Sequence, residues 1–403
     1  MTLVAPRTAP RETADRKLHV LRIADVPNVP TAGMSGHLLR SSAEMELRGH
    51  RVSFWLHEQL RPGMNGPGVR RLLLPWLIVI KLIRATLTGE RPDVVEIHET
   101  RASAYALVAR LAGRRLPPCA VISFGLDERY WQAERAHLRV YGRRHPLKTR
   151  ILVPLTLLAQ SRLALRAAEA VVVPSSADRD HLVERLGIPA ERVTAAFTGV
   201  SGEHLFHVSA TPRREARLLF LGTWIERKGR AELVAAWRRL VAERPNVRLT
   251  IAGTGDSEQV RADTHGLRGI DLVPTVSREE LPALLADHDV FVLPSWFEGM
   301  PLAMLEAAAA GLACVVCGVG GNLDVFRSED PQRDGAILVP PSDADALYRA
   351  LSMLAADGEL RRNLGALARA RARGFTWVDN AEQTMDAYMS ALERRGRRRT
   401  DSV

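Results

Sequence analysis

Lysine is nearly missing from this 403-residue chain: Lys17, Lys81, Lys148 and Lys228 are the four it has. Arginine therefore carries almost all of the basic charge, and 56 bases against 46 acids leave a net +10. Such an excess is compatible with an anionic partner, but heavy arginine and alanine usage also follows from genomic bias. Aromatic residues make up only 5% of the chain, and no motif interleaves them with basic residues, so nucleic acid is not expected as a partner. Cysteine is scarce as well. Cys119, Cys314 and Cys317 cannot build a disulfide framework, which fits a reducing cytoplasm. Cys314 and Cys317 form a C-x-x-C inside Ala313-Cys314-Val315-Val316-Cys317, a strand in which positions i and i+3 face opposite ways, so two buried thiols are expected rather than a redox or zinc site. No apolar core of a signal peptide opens the chain, and residues 1–17 read as a flexible arm. The longest apolar run, Leu72 to Ile83, contains Pro75 and Lys81 and falls short of the ~20 residues that span a bilayer.

What the chain does have is 46% hydrophobic and 25% charged residues, a globular composition, and a length that calls for two or three domains. Apolar strands alternate with helical segments in two blocks. In the first, His19–Ala24 leads through a glycine-bearing loop around Gly33 and Gly36 into a helix, a βαβ start where an anion or sugar could sit. Further strands follow at Pro92–His98, Cys119–Gly125 and Ala170–Ser175. Between the last two, residues 129–166 carry eight arginines among apolar residues. Two readings of that stretch stand open: a solvated helical face, or docking on an anionic membrane surface or acceptor, for which Arg70-Arg71 before the apolar run also speaks. Residues 207–216 read as a linker. A second block then repeats strand and helix from Arg217 onward. The fold class is α/β: two Rossmann-like, doubly wound domains with a site expected in the cleft between them.

The stretch that organises the second block is Ser295-Trp296-Phe297-Glu298-Gly299-Met300-Pro301-Leu302-Ala303-Met304-Leu305-Glu306. It follows the buried run Val290–Leu293 and reads as strand, turn, helix, with Glu298 in the turn and Glu306 two turns into the helix. Gly299 and Pro301 allow a sharp turn whose amides remain unpaired, a start that suits phosphate and hydroxyl oxygens.

These residues resemble the E-x7-E signature of retaining GT-B-fold glycosyltransferases of the GT4 type, the glycosyl transferases group 1 family. Phe220-Leu221-Gly222 with Arg227-Lys228-Gly229 is similar to its donor loop, and Ile251-Ala252-Gly253-Thr254-Gly255 to its I-A-G-x-G segment. Val319-Gly320-Gly321 and Leu338-Val339-Pro340-Pro341-Ser342-Asp343 resemble the loop and helix start that follow the signature. The similarity covers about residues 18–390 and is strongest from 218 to 350. It implies an acceptor-binding domain over 18–206, a donor-binding domain over 217–372, a terminal helix over 373–393 that crosses back to the first domain, and a basic tail over 394–403.

The resemblance also implies roles. Glu298 would hold the donor sugar and Glu306 the ribose, and a carboxylate can take two hydroxyl bonds from a vicinal diol. Lys228 would neutralise the diphosphate as the bond breaks, with Arg227 beside it. Gly222, Thr223, Gly299, Met300 and Leu302 would line the donor site, while Gly33, His98 and Phe124 would belong to the loops of the first domain. Departures stand out. Thr223 occupies the place of an arginine of the diphosphate clamp, Phe124 that of a histidine that contacts the sugar, Ser201 that of an aspartate and Ala313 that of a proline. Asp343-Ala344-Asp345 mimics a D-x-D metal motif but stands at a helix start, where aspartates cap; because the family it resembles holds the diphosphate with cations of the protein, the resemblance implies no metal and no cofactor.

The function implied is transfer of a hexosyl group from a nucleotide-diphosphate sugar to a glycan, lipid-linked or small-molecule acceptor with retention, in polysaccharide or glycoconjugate assembly. The location implied is the cytoplasm, with the inner membrane face as the alternative site of work. Two rivals are a nucleotide-sugar-binding protein with little turnover, and an epimerase or phosphorylase on the same fold.

Overall fold

Apolar runs of four or five residues form the central strands, and their burial on both faces follows from helices covering each side of a parallel sheet, while the edge strands are more exposed. The computed structural model describes residues 16–28, 33–60, 67–200, 215–255, 257–327, 330 and 334–397. They divide into two units: one from Met1–Glu128, Pro146–Phe197 and Trp377–Val403, the other from Arg129–His145 and Thr198–Thr376.

The first unit is built on β1 (His19–Ile23), β2 (Arg51–Trp55), β3 (Val94–His98), β4 (Cys119–Ile122), β5 (Ala170–Val173) and β6 (Val193–Ala195), ordered β2-β1-β3-β4-β5-β6 with every pair parallel. Its helices include α1 (Gly33–Leu47), α2 (Pro67–Leu87), α3 (Ser103–Ala112), the start of α4 (Asp127–Val140) and α5 (Ala159–Ala167). The two-residue period of a strand is visible in the core. Cys119, Val121, Val171 and Val173 join the cluster formed with Leu74, Ile78 and Leu82 of α2, whereas Ala120, Ile122, Ala170 and Val172 join the opposite cluster.

The second unit carries β7 (Arg217–Leu221), β8 (Arg248–Ala252), β9 (Ile270–Val273), β10 (Val290–Leu293), β11 (Ala313–Cys317) and β12 (Ala336–Val339), ordered β12-β11-β10-β7-β8-β9, again all parallel. Its helices include α6 (Arg230–Glu243), α7 (Leu302–Ala310), α8 (Ala344–Ala356) and α9 (Gly358–Ala372). The alanine run keeps α7 narrow, and Ala307, Ala308, Ala309 and Ala310 are all buried. Arg369 of α9 donates to the carbonyls of Ala309 and Ala310 at 3.2 and 2.7 Å, satisfying acceptors that the end of α7 would otherwise leave unpaired. Cys314 and Cys317 are both buried, and burial pushes both thiols up, so they stay neutral.

The last helix, α10 (Trp377–Arg397), belongs to the first unit. Ala381, Met385, Tyr388 and Ala391 form the stripe that enters its core. Tyr388 Oη donates to Glu96 of β3, whose carboxylate is also gripped by Arg22 of β1 at 2.7 and 3.2 Å. Arg22 further bonds Ser42 Oγ of α1 at 2.8 Å, so one buried cluster ties two strands to two helices.

Three expectations about the chain's edges change. The helix runs on through Arg394 and Arg395, which are not a loose tail: Arg394 donates to the Glu169 and Glu191 carbonyls at 2.8 Å, and the buried Arg395 pairs with Glu169. Residues 398–403 lie outside the described residues, as do 1–15 and 201–214, where the arm and most of the linker were placed. Arg16 and Lys17 are already bonded, to Asp93 and to the Arg48 carbonyl. From Arg129 onward, α4 and the residues up to His145 group with the second unit rather than the first. Among the described residues no helix is long and apolar enough to cross a membrane.

Candidate functional site

In the second sheet the chain leaves β7 towards β8 on one side and later returns to β10 on the other. The crevice outside the carboxyl ends of these two neighbours is the switch point where doubly wound sheets place ligands. Both segments singled out in the sequence leave the sheet there. Gly222, with φ +145, and the exposed Thr223 follow β7, and the Thr223 carbonyl accepts from Ile225 N at 3.0 Å. A short turn over Glu226–Lys228 then reaches Gly229, at φ +71, and α6. A Cβ on Gly229 would lie 2.1 Å from the Pro294 carbonyl oxygen, so only glycine lets this loop press against the end of β10. Trp296 completes the seam: its backbone N donates to the Arg227 carbonyl at 3.1 Å and its Nε1 to the Glu226 carbonyl at 3.0 Å.

That seam brings three charges together. Lys228 Nζ lies 2.6 Å from Glu298 Oε1, and Arg227 Nη1 lies 3.0 Å from Glu298 Oε2 while donating to the Phe297 carbonyl at 2.8 Å. Glu298 is buried. Burial alone would raise its pKa, but the Lys228 ammonium and the Arg227 guanidinium outweigh it and hold the carboxyl below its usual range. On the other side Gly320, at φ +52, backs the same turn; a Cβ there would stand 1.9 Å from the Glu298 carbonyl oxygen. Gly321 N donates to the Gly299 carbonyl at 2.5 Å. Met300 is buried and its sulfur accepts from Thr198 N at 3.1 Å; Leu302 is half-buried and opens α7; Glu306 is buried in the second turn of α7. The structure therefore gathers Gly222, Thr223, Arg227, Lys228, Glu298, Gly299, Met300, Leu302 and Glu306 around the carboxyl ends of β7 and β10.

Residues 129–145 supply neighbours that the sequence did not suggest. His137 stacks on Trp296 with ring centroids 5.1 Å apart, and its Nδ1 lies 2.7 Å from Ser342 Oγ. Tyr141 Oη donates to Glu232 at 2.6 Å, and Arg143 pairs with Glu226 at 3.1 Å. A cavity of ≈ 230 Å³ opens between Tyr130, Glu134, His137, Glu226, Arg227 and Trp296.

The remaining candidates, Gly33, His98 and Phe124, lie in the first unit. Gly33 opens α1 with no atom within 4 Å of where a Cβ would stand. His98, at the end of β3, stacks on Phe124 at 5.6 Å, and the buried His37 meets the same phenyl ring edge-on at 5.1 Å. Burial, helped by Arg22 and Arg40, lowers His37 to about 3; burial and Arg101 lower His98 to about 4 against the pull of Asp25. Both imidazoles are neutral at pH 7. His37 directly follows Gly36 and carries no sequence motif of its own, so only its burial marks it. Glu99 carries none either: it is buried, accepts from Ser123 Oγ at 2.7 Å and from Ser161, and is pushed up to about 8 by burial and by Asp127.

The D-x-D resolves as a cap, since Asp343 accepts from Ala346 N at 2.8 Å and Asp345 pairs with Arg239. Among the described residues no group of three or more His, Cys, Asp or Glu could hold a metal ion.

Two parallel six-stranded sheets, the second with an acid-and-cation site at its switch point, define the GT-B class of α/β protein. The pattern described as "Glycosyl transferases group 1" matches residues 215–357, and that described as "Glycosyl transferase 4-like domain" matches residues 32–196. A mannosyltransferase of Mycolicibacterium hassiacum, "MMP alpha-(1->4)-mannosyltransferase", is 30% identical over 317 residues, 76% of this chain and 73% of that protein. The chain accordingly belongs to the glycosyl transferases group 1 family, of GT4 type. A "Phosphatidyl-myo-inositol mannosyltransferase" of Mycolicibacterium smegmatis is 34% identical over 180 residues, 44% of this chain and 46% of that protein. The chain spans about half the length of the first curated relatives it matches, 46% and 56%. Among solved structures, sucrose-phosphate synthase from Thermosynechococcus elongatus superposes with a TM-score of 0.73 over 93% of this chain and 98% of that one, at 20% identity, which establishes the fold.

Proposed function

We propose that the chain transfers a hexosyl group from a nucleoside-diphosphate sugar to a hydroxyl of an acceptor, with retention at the anomeric carbon. The observation that carries this reading is the Lys228–Glu298–Arg227 cluster. Two cations face one carboxylate in a buried turn at the switch point, so the site keeps an excess positive charge positioned for an anion. Lys228 and Arg227 would meet the diphosphate, Glu298 the sugar hydroxyls and Glu306 the ribose diol. The amides of Gly299, Met300 and Leu302 face the sugar, and Gly33, His98 and Phe124 stand on the acceptor side.

In the reaction the bond from the anomeric carbon to the diphosphate oxygen breaks with its electron pair on that oxygen. Lys228 stabilises the charge formed there. The same phosphate oxygen takes the proton of the acceptor hydroxyl as the new glycosidic bond forms on the face just vacated. No protein nucleophile is needed; the protein contributes positioning and fixed charge. Because protein cations balance the diphosphate, turnover should survive a chelator, and loss of activity in EDTA restored by a divalent cation would sink that part of the reading. Two relatives named as mannosyltransferases, one of them a phosphatidyl-myo-inositol mannosyltransferase, support assembly of a polysaccharide or glycoconjugate.

Thr223 and Phe124 favour a second reading, binding without turnover, because each replaces a polar group expected to contact the donor. A panel of UDP-, GDP- and ADP-sugars separates the two. The preferred donor should raise the melting temperature in proportion to its affinity. With an added acceptor it should yield a glycoside of unchanged anomeric configuration by NMR. Donor binding with neither transfer nor hydrolysis would leave the binding reading standing, and an inverted product would end the retaining one.

A further inference from the structure

Among its described residues the first unit presents an exposed apolar face. On α2, Leu72, Leu73, Trp76, Leu77 and Ile80 are exposed, Trp76 to 56%, while Leu74, Ile78, Val79 and Leu82 fill the core on the other side. The helix is therefore apolar on both faces, which water alone does not favour. A second segment repeats the pattern: Leu147, Ile151, Leu152 and Leu155 recur at helical spacing and are exposed, Leu155 to 70%. Gln160 Nε2, next in line, donates to the Arg71 carbonyl at 3.4 Å and holds this segment beside the start of α2.

Charge distinguishes between occupants. In a chain with 46 acidic residues, neither Pro67–Leu87 nor residues 146–167 contains one, while the two hold Arg70, Arg71, Lys81, Arg84, Lys148, Arg150, Arg162 and Arg166. Arg162 is paired with Glu128, and Lys81 sits over the Trp55 ring; Arg84, Lys148 and Arg150 are exposed. A second copy of the same face would set cations against cations, which opposes a symmetric dimer. Leucine and tryptophan beside basic residues, on helices that are not long and apolar enough to span, is the composition of elements that lie in the interface of an anionic bilayer.

We infer that α2 and residues 147–163 together form a docking face for an anionic lipid surface. The leucines and Trp76 enter the boundary between headgroups and acyl chains, and the arginines and lysines meet the lipid phosphates. The arginine-rich residues 129–145 are not part of this face, since they belong to the second unit.

The test is co-sedimentation of the full chain with phosphatidylcholine vesicles, with and without phosphatidylglycerol. Binding should require the anionic lipid and weaken as salt rises. Leu73→Gln with Ile80→Gln should lower the partition coefficient about tenfold or more with the melting temperature unchanged. Lys148→Gln with Arg150→Gln should weaken binding and flatten its salt dependence. A blue shift of tryptophan emission on vesicle addition should disappear in Trp76→Phe. Absence of binding to the anionic vesicles, or binding untouched by the apolar substitutions, overturns the inference. So does a concentration-dependent dimer abolished by Leu73→Gln with Ile80→Gln, which would show that a second copy covers the face. None of these readouts depends on donor turnover, so they stand apart from the transferase reading.

Discussion

A buried carboxylate held by two cations can lose one of them and stay ionised, which makes Lys228 separable from the fold. In Lys228→Ala, Arg227 still reaches Oε2 of Glu298 at 3.0 Å. Turnover should fall by roughly 10²-fold or more, the cost of removing a fixed charge from a developing anion, while the melting temperature changes little. A matching collapse of stability would make Lys228 structural instead. Glu306→Ala should weaken binding of the free nucleoside diphosphate by roughly 1.5–3 kcal/mol if the carboxylate holds the ribose diol; unaltered affinity removes that role. Gly320→Ala acts through the backbone. Its φ of +52 and the 1.9 Å approach to the Glu298 carbonyl leave no room for a methyl group, so stability should drop by more than about 1 kcal/mol. Urea melts showing no loss would mean that the turn can shift aside. Of these residues the sequence displays Lys228, Glu298, Glu306 and Gly320 through their motifs. It does not display that Lys228 and Arg227 close on Glu298, because that needs the Gly229–Pro294 contact between segments about seventy residues apart. His37 and Glu99 carry no local pattern at all, and their chemistry comes from burial that only the packed unit creates.

At the scale of elements, strands were legible because parallel strands buried on both faces are continuous apolar runs. Their order in the sheet was not. One element runs against the rule that charge reads as exposure. In the arginine-rich stretch at 129–145, Arg135, Arg139, Arg143 and Arg144 are exposed, as a solvated face requires, while Trp131 and His137 between them are buried. The arginine run that closes α10 looked like a loose tail, yet Arg395 is buried and donates to the carbonyls of Ala109, Gly113 and Leu116, some 280 positions earlier. How firmly α10 is held rests on the Arg22–Glu96–Tyr388 cluster. Glu96→Ala leaves the Arg22 guanidinium buried without its partner and should cost roughly 3–5 kcal/mol. Tyr388→Phe keeps that ion pair and removes one charge-assisted bond, so it should cost less, about 1.5–3 kcal/mol. Denaturant midpoints that rank the two the other way round would mean that Tyr388, not the ion pair, holds the helix in place.

The molecule as a whole has two cores, so each unit should respond to its own perturbant. Glu99 sits in the first unit with its pKa pushed up to about 8, and Asp127 beside it is pushed up to about 6, in both cases chiefly by burial. Folding therefore keeps protons on these acids that the unfolded chain releases near its ordinary carboxylate range. Stability gained from the neutral acid is present at low pH and shrinks as pH rises towards the folded value. His37 and His98 work the other way, since their lowered values make folding resist protonation below about 6.5, but above that pH they are neutral folded or unfolded. Between about 6.5 and 8 Glu99 is left to set the slope, and the first unit should lose stability across that interval. Glu99→Gln should flatten it. The second unit should be indifferent to this change and respond instead to nucleotide, gaining about 2.7 kcal/mol when a nucleoside diphosphate is present at a hundred times its dissociation constant. Scanning calorimetry at pH 6.5 and 8, with and without UDP or GDP, reads both effects in one protein. A nucleotide shift in the transition that Glu99→Gln alters would place the nucleotide site in the first unit, and the roles given to Lys228, Glu298 and Glu306 would fall with it.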